Sequence, residues 1–225
     1  AYVIIRRPGS PGPLATGDLS PLSGLVNLTN LDVSWNHRPN LTLPTGLTNL
    51  TSLDLFENTL TSLALPAGLN ALTNLDLGVN QLTSFIMPPG ATNLTTLSLF
   101  ANQLTSVSLP PGMRKLNTLG LSFNKLSSLD LPPGLTALAF LNLNNNQLTN
   151  VTLPPDMQQL IGIFVDGNPL TTLVLSETLA TTGLAATVAT LQNQGVQVFT
   201  YPVSVQLTLP QEQPIGAFRF AITGP

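Results

Sequence analysis

Residues 50–60 read LTSLDLFENTL, and this stretch decides the fold because the chain repeats its pattern at a constant spacing. Leucines stand at positions 50, 53, 55 and 60, and an asparagine stands at position 58. The pattern recurs every 22 residues without insertion, and the last copy replaces two leucines with Ile163 and Val165. Self-similarity at a fixed period indicates a solenoid of stacked coils. The recurring asparagines, called the Asn ladder below, are Asn36, Asn58, Asn80, Asn102, Asn124, Asn146 and Asn168.

The pattern Leu-x-x-Leu-x-Leu-x-x-Asn-x-Leu resembles the consensus of the leucine-rich-repeat family. Residues 18–25, DLSPLSGL, are similar to the half-repeats of bacterial internalin-type proteins, whose repeats have the same length. The plant-type GxIP signature and the Cys-rich caps of animal extracellular members are absent from the sequence. The resemblance implies a bacterial protein that is secreted or attached to the cell surface.

Each repeat is predicted to contain two extended segments and no long helix. In residues 53–55 leucines alternate with a polar residue, as in a half-buried strand. Stacked copies predict a concave parallel sheet with strands about 4.8 Å apart. A second alternation at 60, 63 and 65 predicts a short convex strand, followed by proline–glycine turns. The predicted fold class is a mainly β repeat solenoid, a right-handed leucine-rich-repeat coil with a helix-plus-strand C-terminal cap.

The ends of the chain depart from the repeat, as the ends of a solenoid must if they are to cover its leucines. After residue 178 the pattern stops, and leucine and valine at helical spacing predict a helix within 183–194, followed by a strand. The predicted segments are an N-terminal cap with a partial repeat (1–24), seven repeats (25–178), a C-terminal cap (179–202), and the start of a further β module or a tail (203–225).

Composition excludes several functions. Charged residues make up 8% of the chain, against about 25% in an ordinary domain. The net charge of -3 and the scattered basic residues argue against nucleic-acid binding. No apolar run reaches the roughly 18 residues of a membrane span. The chain has no cysteine, which excludes disulfides and zinc–thiolate sites. We expect a monomer without cofactor or metal.

No catalytic motif is present, and the chain is not expected to be an enzyme. His37 is the only histidine. A triad with Ser34 and Asp32 can be drawn, but these residues lie on one strand and its turn. The sequence contains no GxSxG elbow, P-loop or GxGxxG fingerprint.

Acidic residues recur on the predicted concave face. The position between the two inward leucines of the strand holds Asp32, Asp54 and Asp76 in three successive repeats. Neighbouring strands bring these carboxylates close together, which is unfavourable for like charges. The column is either a site for a cation or for a basic or hydroxyl-rich partner, or a set of solvated side chains without a role.

Aromatic residues form a second feature of the predicted concave face, whereas Phe85 replaces a core leucine. A cluster of exposed aromatic side chains usually marks a binding surface. Alternatively, phenylalanine is simply favoured at one repeat position, since positions 56 and 100 are equivalent. The aromatic residues predicted to be exposed are Trp35, Phe56, Phe100, Phe123, Phe140 and Phe164.

Two functions are favoured by the sequence. A third, an enzyme or the targeting arm of an enzyme, is the least favoured. The first is a recognition module that binds a protein or carbohydrate partner through the concave sheet, as the family resemblance implies. The second is a structural spacer that displays another domain. A spacer is expected to lack recurring charged or aromatic side chains on the concave sheet. The aspartates and aromatic rings therefore favour recognition.

Overall fold

The chain folds as a β-solenoid in which each repeat forms one coil, and the predicted fold class is confirmed. The computed structural model describes residues 1–5 and 17–203. The further β module or tail predicted for 203–225 therefore lies, apart from its first residue, outside the described residues. No helix in the part described is long and apolar enough to cross a membrane.

An eight-stranded parallel sheet, called the concave sheet below, runs the length of the solenoid. Successive coils contribute one strand each in strict register, so that Leu31, Leu53 and Leu75 lie side by side. Its strands are β1 (Tyr2–Ile4), β2 (Asn30–Asp32), β3 (Ser52–Asp54), β4 (Asn74–Asp76), β6 (Thr96–Ser98), β8 (Thr118–Gly120), β9 (Phe140–Asn142) and β11 (Gly162–Phe164).

Short strands form on the opposite, convex side, as the second alternation of each repeat predicted. One parallel pair consists of β5 (Ser84–Ile86) and β7 (Ser106–Ser108). A second parallel sheet joins β10 (Asn150–Thr152), β12 (Thr172–Ser176) and β13 (Gln197–Tyr201). In the first repeat, Thr42 forms an isolated parallel bridge with Asp18. The remaining convex segments of the described repeats are extended or turn structure.

The core is a continuous stack of leucines between the two sides. Each coil adds the two inward leucines of its concave strand and further leucines from its turns and convex segment, almost all of them fully buried. Phe85 takes a leucine position and is 2% exposed, as predicted from the sequence. Because a single coil cannot bury its leucines alone, the burial that stabilises each coil comes from its neighbours.

The N-terminal residues extend the concave sheet by one strand. β1 pairs in parallel with β2, with Val3 opposite Leu31. The backbone N–H of Ile5 donates to the carbonyl of Asp32 at 2.7 Å, and the side chain of Asn36 donates to the carbonyl of Ile5 at 2.6 Å. Residues 2–5 thus stand where a preceding repeat would place its strand. A 3-10 helix, Ser20–Gly24, begins the next coil.

Two helices and a strand follow the last coil. The helices are α1 (Glu177–Thr181) and α2 (Ala185–Asn193), and β13 then pairs with β12. The sequence predicted α2 and the strand that follows it, but not α1. The backbone N–H of Leu179 donates to the hydroxyl of Ser176, which caps α1 at its N-terminus. Leu179, Leu184 and Leu191 of this segment are buried and belong to the hydrophobic core.

Candidate binding surface

The Asn ladder holds adjacent coils together. In Asn80, Nδ2 donates to the carbonyls of Leu77 (3.1 Å) and Gly78 (3.2 Å) in its own coil. The same nitrogen donates to Leu55 O in the preceding coil (3.0 Å), and Oδ1 accepts from the N–H of Leu60 (3.0 Å). The side chain therefore satisfies backbone groups that the turn leaves unpaired. Six of the seven ladder asparagines are buried, and Asn168 at the C-terminal end is half-buried.

The residue before each ladder asparagine adopts the left-handed backbone conformation. Val79 has φ of 53° and Ala101 has φ of 52°, values that cost a non-glycine residue conformational energy. The turn that directs the ladder asparagine inward thus imposes this conformation in every repeat. The equivalent residues are Trp35, Glu57, Val79, Ala101, Phe123, Asn145 and Gly167.

The three aspartates Asp32, Asp54 and Asp76, called the acidic column below, accept hydrogen bonds from the turn that follows each strand. Asp32, Asp54 and Asp76 are register partners on β2, β3 and β4, and Asp32 is buried. Oδ1 of Asp54 accepts from the N–H of Phe56 at 2.9 Å, and Oδ1 of Asp76 accepts from the N–H of Gly78 at 2.8 Å.

An asparagine can take the same position in this protein. Oδ1 of Asn142 accepts from the N–H of Asn144 at 3.1 Å, which is the same bond two residues along the chain. A carboxylate is thus not required for the turn. Among the described residues there is no group of three or more His, Cys, Asp or Glu side chains placed to hold a metal ion.

Ser34 and Asp32 are engaged with each other. The Ser34 hydroxyl donates to Oδ1 of Asp32 at 2.6 Å, and the Ser34 N–H donates to the same oxygen at 3.0 Å. His37 lies exposed on the following turn with φ of 51°. This arrangement is that of a bonded turn, in which the Ser34 hydroxyl donates to Asp32, whereas the serine of a catalytic triad donates to a histidine.

Three aromatic rings from different coils form a connected group on the N-terminal half of the concave face, called the aromatic cluster below. The ring centroids of Trp35 and Phe56 are 5.4 Å apart at an interplanar angle of 60°. Those of Phe56 and Phe100 are 5.9 Å apart at 31°. Trp35 is 54% exposed, whereas Phe56 and Phe100 are half-buried rather than exposed as the sequence suggested. The mutual contact explains that burial.

Gly78 makes the contact between Phe56 and Phe100 possible. Positions 56, 78 and 100 are equivalent in three successive repeats, and only the middle one lacks a side chain. A Cβ on Gly78 would lie 2.5 Å from Cε1 of Phe100, so that the ring occupies the space over this residue. Gly78 was not among the residues predicted for the binding surface, although a residue without a side chain between two equivalent phenylalanines is a signal visible in the sequence.

The other predicted aromatic residues lie towards the C-terminal half. Phe140 on β9 and Phe164 on β11 border Gly162, where a Cβ would lie 3.0 Å from Cδ1 of Phe140 and 3.4 Å from Cε2 of Phe164. Phe123 belongs to the left-handed turn position and is 58% exposed. The structure therefore separates the aromatic residues into the N-terminal cluster, a C-terminal pair and one turn residue.

In the described repeats, the charged side chains at the outward positions of the concave strands are all acidic. In the seven described repeats, the three outward positions of each concave strand, equivalent to 52, 54 and 56, carry aspartate but no lysine or arginine. Glu57 adds a carboxylate on the turn of the next coil. The backbone N–H of Trp35 donates to the carbonyl of Phe56, the residue before Glu57. Lys125 lies beyond the ladder and donates to the side chain of Gln103 at 3.1 Å.

The repeat pattern, the stacked parallel coils and the Asn ladder define a leucine-rich-repeat protein. The protein-family profile described as "Leucine Rich repeats (2 copies)" matches residues 92–133. The comparison with curated proteins found no match. Among solved structures, the chain is similar to an internalin (inlF) from Listeria monocytogenes, with 20% sequence identity and a TM-score of 0.36. That similarity covers 82% of this chain and 70% of the internalin.

Proposed function

We propose that this protein is a non-catalytic recognition module that binds a protein or glycan partner through its concave sheet. It acts as a monomer, without cofactor, and is secreted by a bacterium or attached to the bacterial cell surface. Leucine-rich-repeat domains are typically protein-interaction modules, which agrees with this function.

The aromatic cluster carries the proposal. Trp35, Phe56 and Phe100 come from three different coils, contact one another and keep ring surface open to solvent. Contiguous apolar surface of this kind is disfavoured in water and is usually found where a partner covers it. Tryptophan in particular is enriched among the residues that dominate binding energy. A spacer has no need to gather these rings on one face.

The experiment compares the Phe56→Ala/Phe100→Ala double variant with the wild type on arrays of glycans and of extracellular proteins. Half-buried rings stabilise a protein by about 1 kcal/mol each, so the variant should stay folded with a lower melting temperature. Any ligand of the concave face should lose about tenfold or more in affinity. Ile86→Ala is the matched control, because Ile86 is exposed on convex strand β5.

A ligand that binds the wild type and the double variant equally would remove the concave face as its site. If no array member binds the wild type, the spacer function is favoured instead. If the double variant unfolds, the rings belong to the core, and Gly78→Ala then tests the cluster without removing a ring.

A further inference from the structure

We infer that the aromatic cluster binds a cationic side chain, arginine or lysine, presented by a peptide segment of a protein partner. This inference rests on the proposed function and names the partner of the same surface. It is carried by the combination of open aromatic rings with a neighbouring carboxylate, and by the lack of lysine and arginine at the outward strand positions of repeats 25–178, the part of the concave sheet that carries the rings.

The rings form two surfaces on which a cation can lie. Trp35 and Phe56 meet at 60°, so that their planes form a corner, and Phe100 extends the Phe56 surface over Gly78. A cation over an aromatic face is attracted by the negative charge density of the ring, most strongly for tryptophan. Trp35, the only tryptophan in the chain, is more than half exposed at the open edge of this corner.

A carboxylate lies beside the Phe100 ring. The point where a Cβ would stand on Gly78 is 2.5 Å from Cε1 of Phe100 and 3.1 Å from Oδ1 of Asp76. The Phe100 ring and the Asp76 carboxylate therefore border the same small space. Glu57 lies in the turn column of Trp35, one coil further along. Each carboxylate adds Coulomb attraction for a cation that the rings alone would bind weakly.

Charge complementarity favours a cation over a sugar. A sugar hydroxyl must approach Asp76 along the direction of a carboxylate lone pair, and the N–H of Gly78 already takes one of these directions. Attraction of a cation needs no such direction, because it depends mainly on distance. Within the described repeats, the outward positions of the concave strands contribute no lysine or arginine to repel it.

The test uses two synthetic probes, Ac-Gly-Arg-Gly-Arg-Gly-NH2 and the same peptide with citrulline in place of arginine. Citrulline keeps the shape of arginine but has no charge. Binding to the full chain is followed by the fluorescence of Trp35 and by its indole N–H resonance. The arginine peptide should bind about 2- to 30-fold more tightly than the citrulline peptide, the range expected for cation–π attraction. Added salt should reduce the difference only in part, because contact with the rings persists.

Two variants separate the contributions of charge and ring. Asp76→Asn should keep the turn, since Asn142 makes the equivalent bond, and should weaken arginine binding while citrulline binding stays the same. Phe100→Leu removes the aromatic ring but keeps an apolar side chain over Gly78, so it should weaken arginine binding without opening a gap there. Phe199→Leu is the control and should leave the binding of both probes unchanged, because Phe199 is exposed on β13, outside the concave sheet.

Equal binding of the two peptides, or no arginine binding at all, overturns the inference. Cellohexaose is included as a neutral glycan probe. If it shifts the Trp35 signal and the arginine peptide does not, the inference is wrong and the proposed function survives. If a protein ligand found on the arrays is lost in the Phe56→Ala/Phe100→Ala variant but is insensitive to Asp76→Asn, the concave face recognises it without a cation.

Discussion

The ring of Phe100 lies over Gly78, with Cε1 only 2.5 Å from the place that a Cβ would occupy. This relationship brings Phe100 to Phe56 across an intervening coil and creates the aromatic cluster. The absence of a Cβ at position 78 thus sets the geometry of the candidate site.

Gly78→Ala should displace the Phe100 ring and separate it from Phe56. The backbone at Gly78 is not in the left-handed region and the ring can move, so the free energy of unfolding should change by no more than about 0.5 kcal/mol. Aromatic side-chain resonances of Phe56 and Phe100 would report the displacement. Gly120→Ala is the control, because a Cβ there meets nothing closer than 3.9 Å. Unchanged resonances in Gly78→Ala would contradict this account of the cluster.

Asn102→Ala should destabilise the solenoid strongly. Its Nδ2 donates to the carbonyls of Leu77, Leu99 and Phe100, and its Oδ1 accepts from the N–H of Leu82. Each buried group left unsatisfied costs about 1–3 kcal/mol, which equilibrium denaturation would detect. Asn117→Ala serves as the control. That side chain is exposed and makes only two long bonds, one donated to the carbonyl of Ala137 at 3.4 Å and one accepted from the Thr118 hydroxyl at 3.2 Å. An equal loss in both variants would show that the ladder has no special role.

Val79→Asn should stabilise the protein by about 0.5–1 kcal/mol. Val79 is β-branched with φ of 53°, and the left-handed region is unfavourable for such side chains. Asparagine tolerates this region and already occupies the equivalent position at Asn145, with φ of 56°. The reverse change, Asn145→Val, should lower the melting temperature. Opposite signs to these would mean that side-chain packing outweighs backbone strain at this turn.

A chain that ends at residue 178 should aggregate. α1 and α2 bury Leu179, Leu184 and Leu191 against the last coil, and their loss would expose the leucines of that coil. Light scattering and a thermal unfolding curve would measure the effect. A chain that ends at residue 203 keeps both helices and β13, and it should remain soluble. A soluble, cooperatively folded shorter chain would show that 179–202 is not a cap.

Tyr201 should make the stability of the C-terminal end sensitive to alkaline pH. Burial, and secondly the charge of Asp156, raise the pKa of the Tyr201 phenol above 10.0. The folded protein therefore holds this proton more tightly than the unfolded chain does. The free energy of unfolding should be at its full value below about pH 10 and fall as the pH rises through the raised pKa.

Tyr201→Phe tests this dependence. It removes the hydrogen bond from the phenol to the carbonyl of Leu153, worth about 0.5–1.5 kcal/mol, and should flatten the alkaline decrease. Tyr2→Phe, at an exposed position on β1, should retain the wild-type decrease. If both variants follow the same alkaline curve, the titration of Tyr201 is not linked to unfolding.

The period of the sequence by itself determined the repeat architecture, the inward leucines and the Asn ladder. Every repeat has the same length, so residues 22 positions apart lie at the same place in adjacent coils. The register of Asp32, Asp54 and Asp76 follows directly from that spacing. Hence the pattern of one coil was enough to predict the side of the sheet on which each residue lies.

Only the tertiary structure decided those side-chain contacts that depend on the space left free by a residue of the neighbouring coil. The contact of Phe100 with Phe56 requires a ring to bend over Gly78, and no periodicity encodes that rotamer. The pairing of β1 with β2 joins segments 28 positions apart, Tyr2 with Asn30, outside the repeat spacing. A period specifies where backbones stack, whereas the shape and charge of a surface arise from the individual side chains packed there.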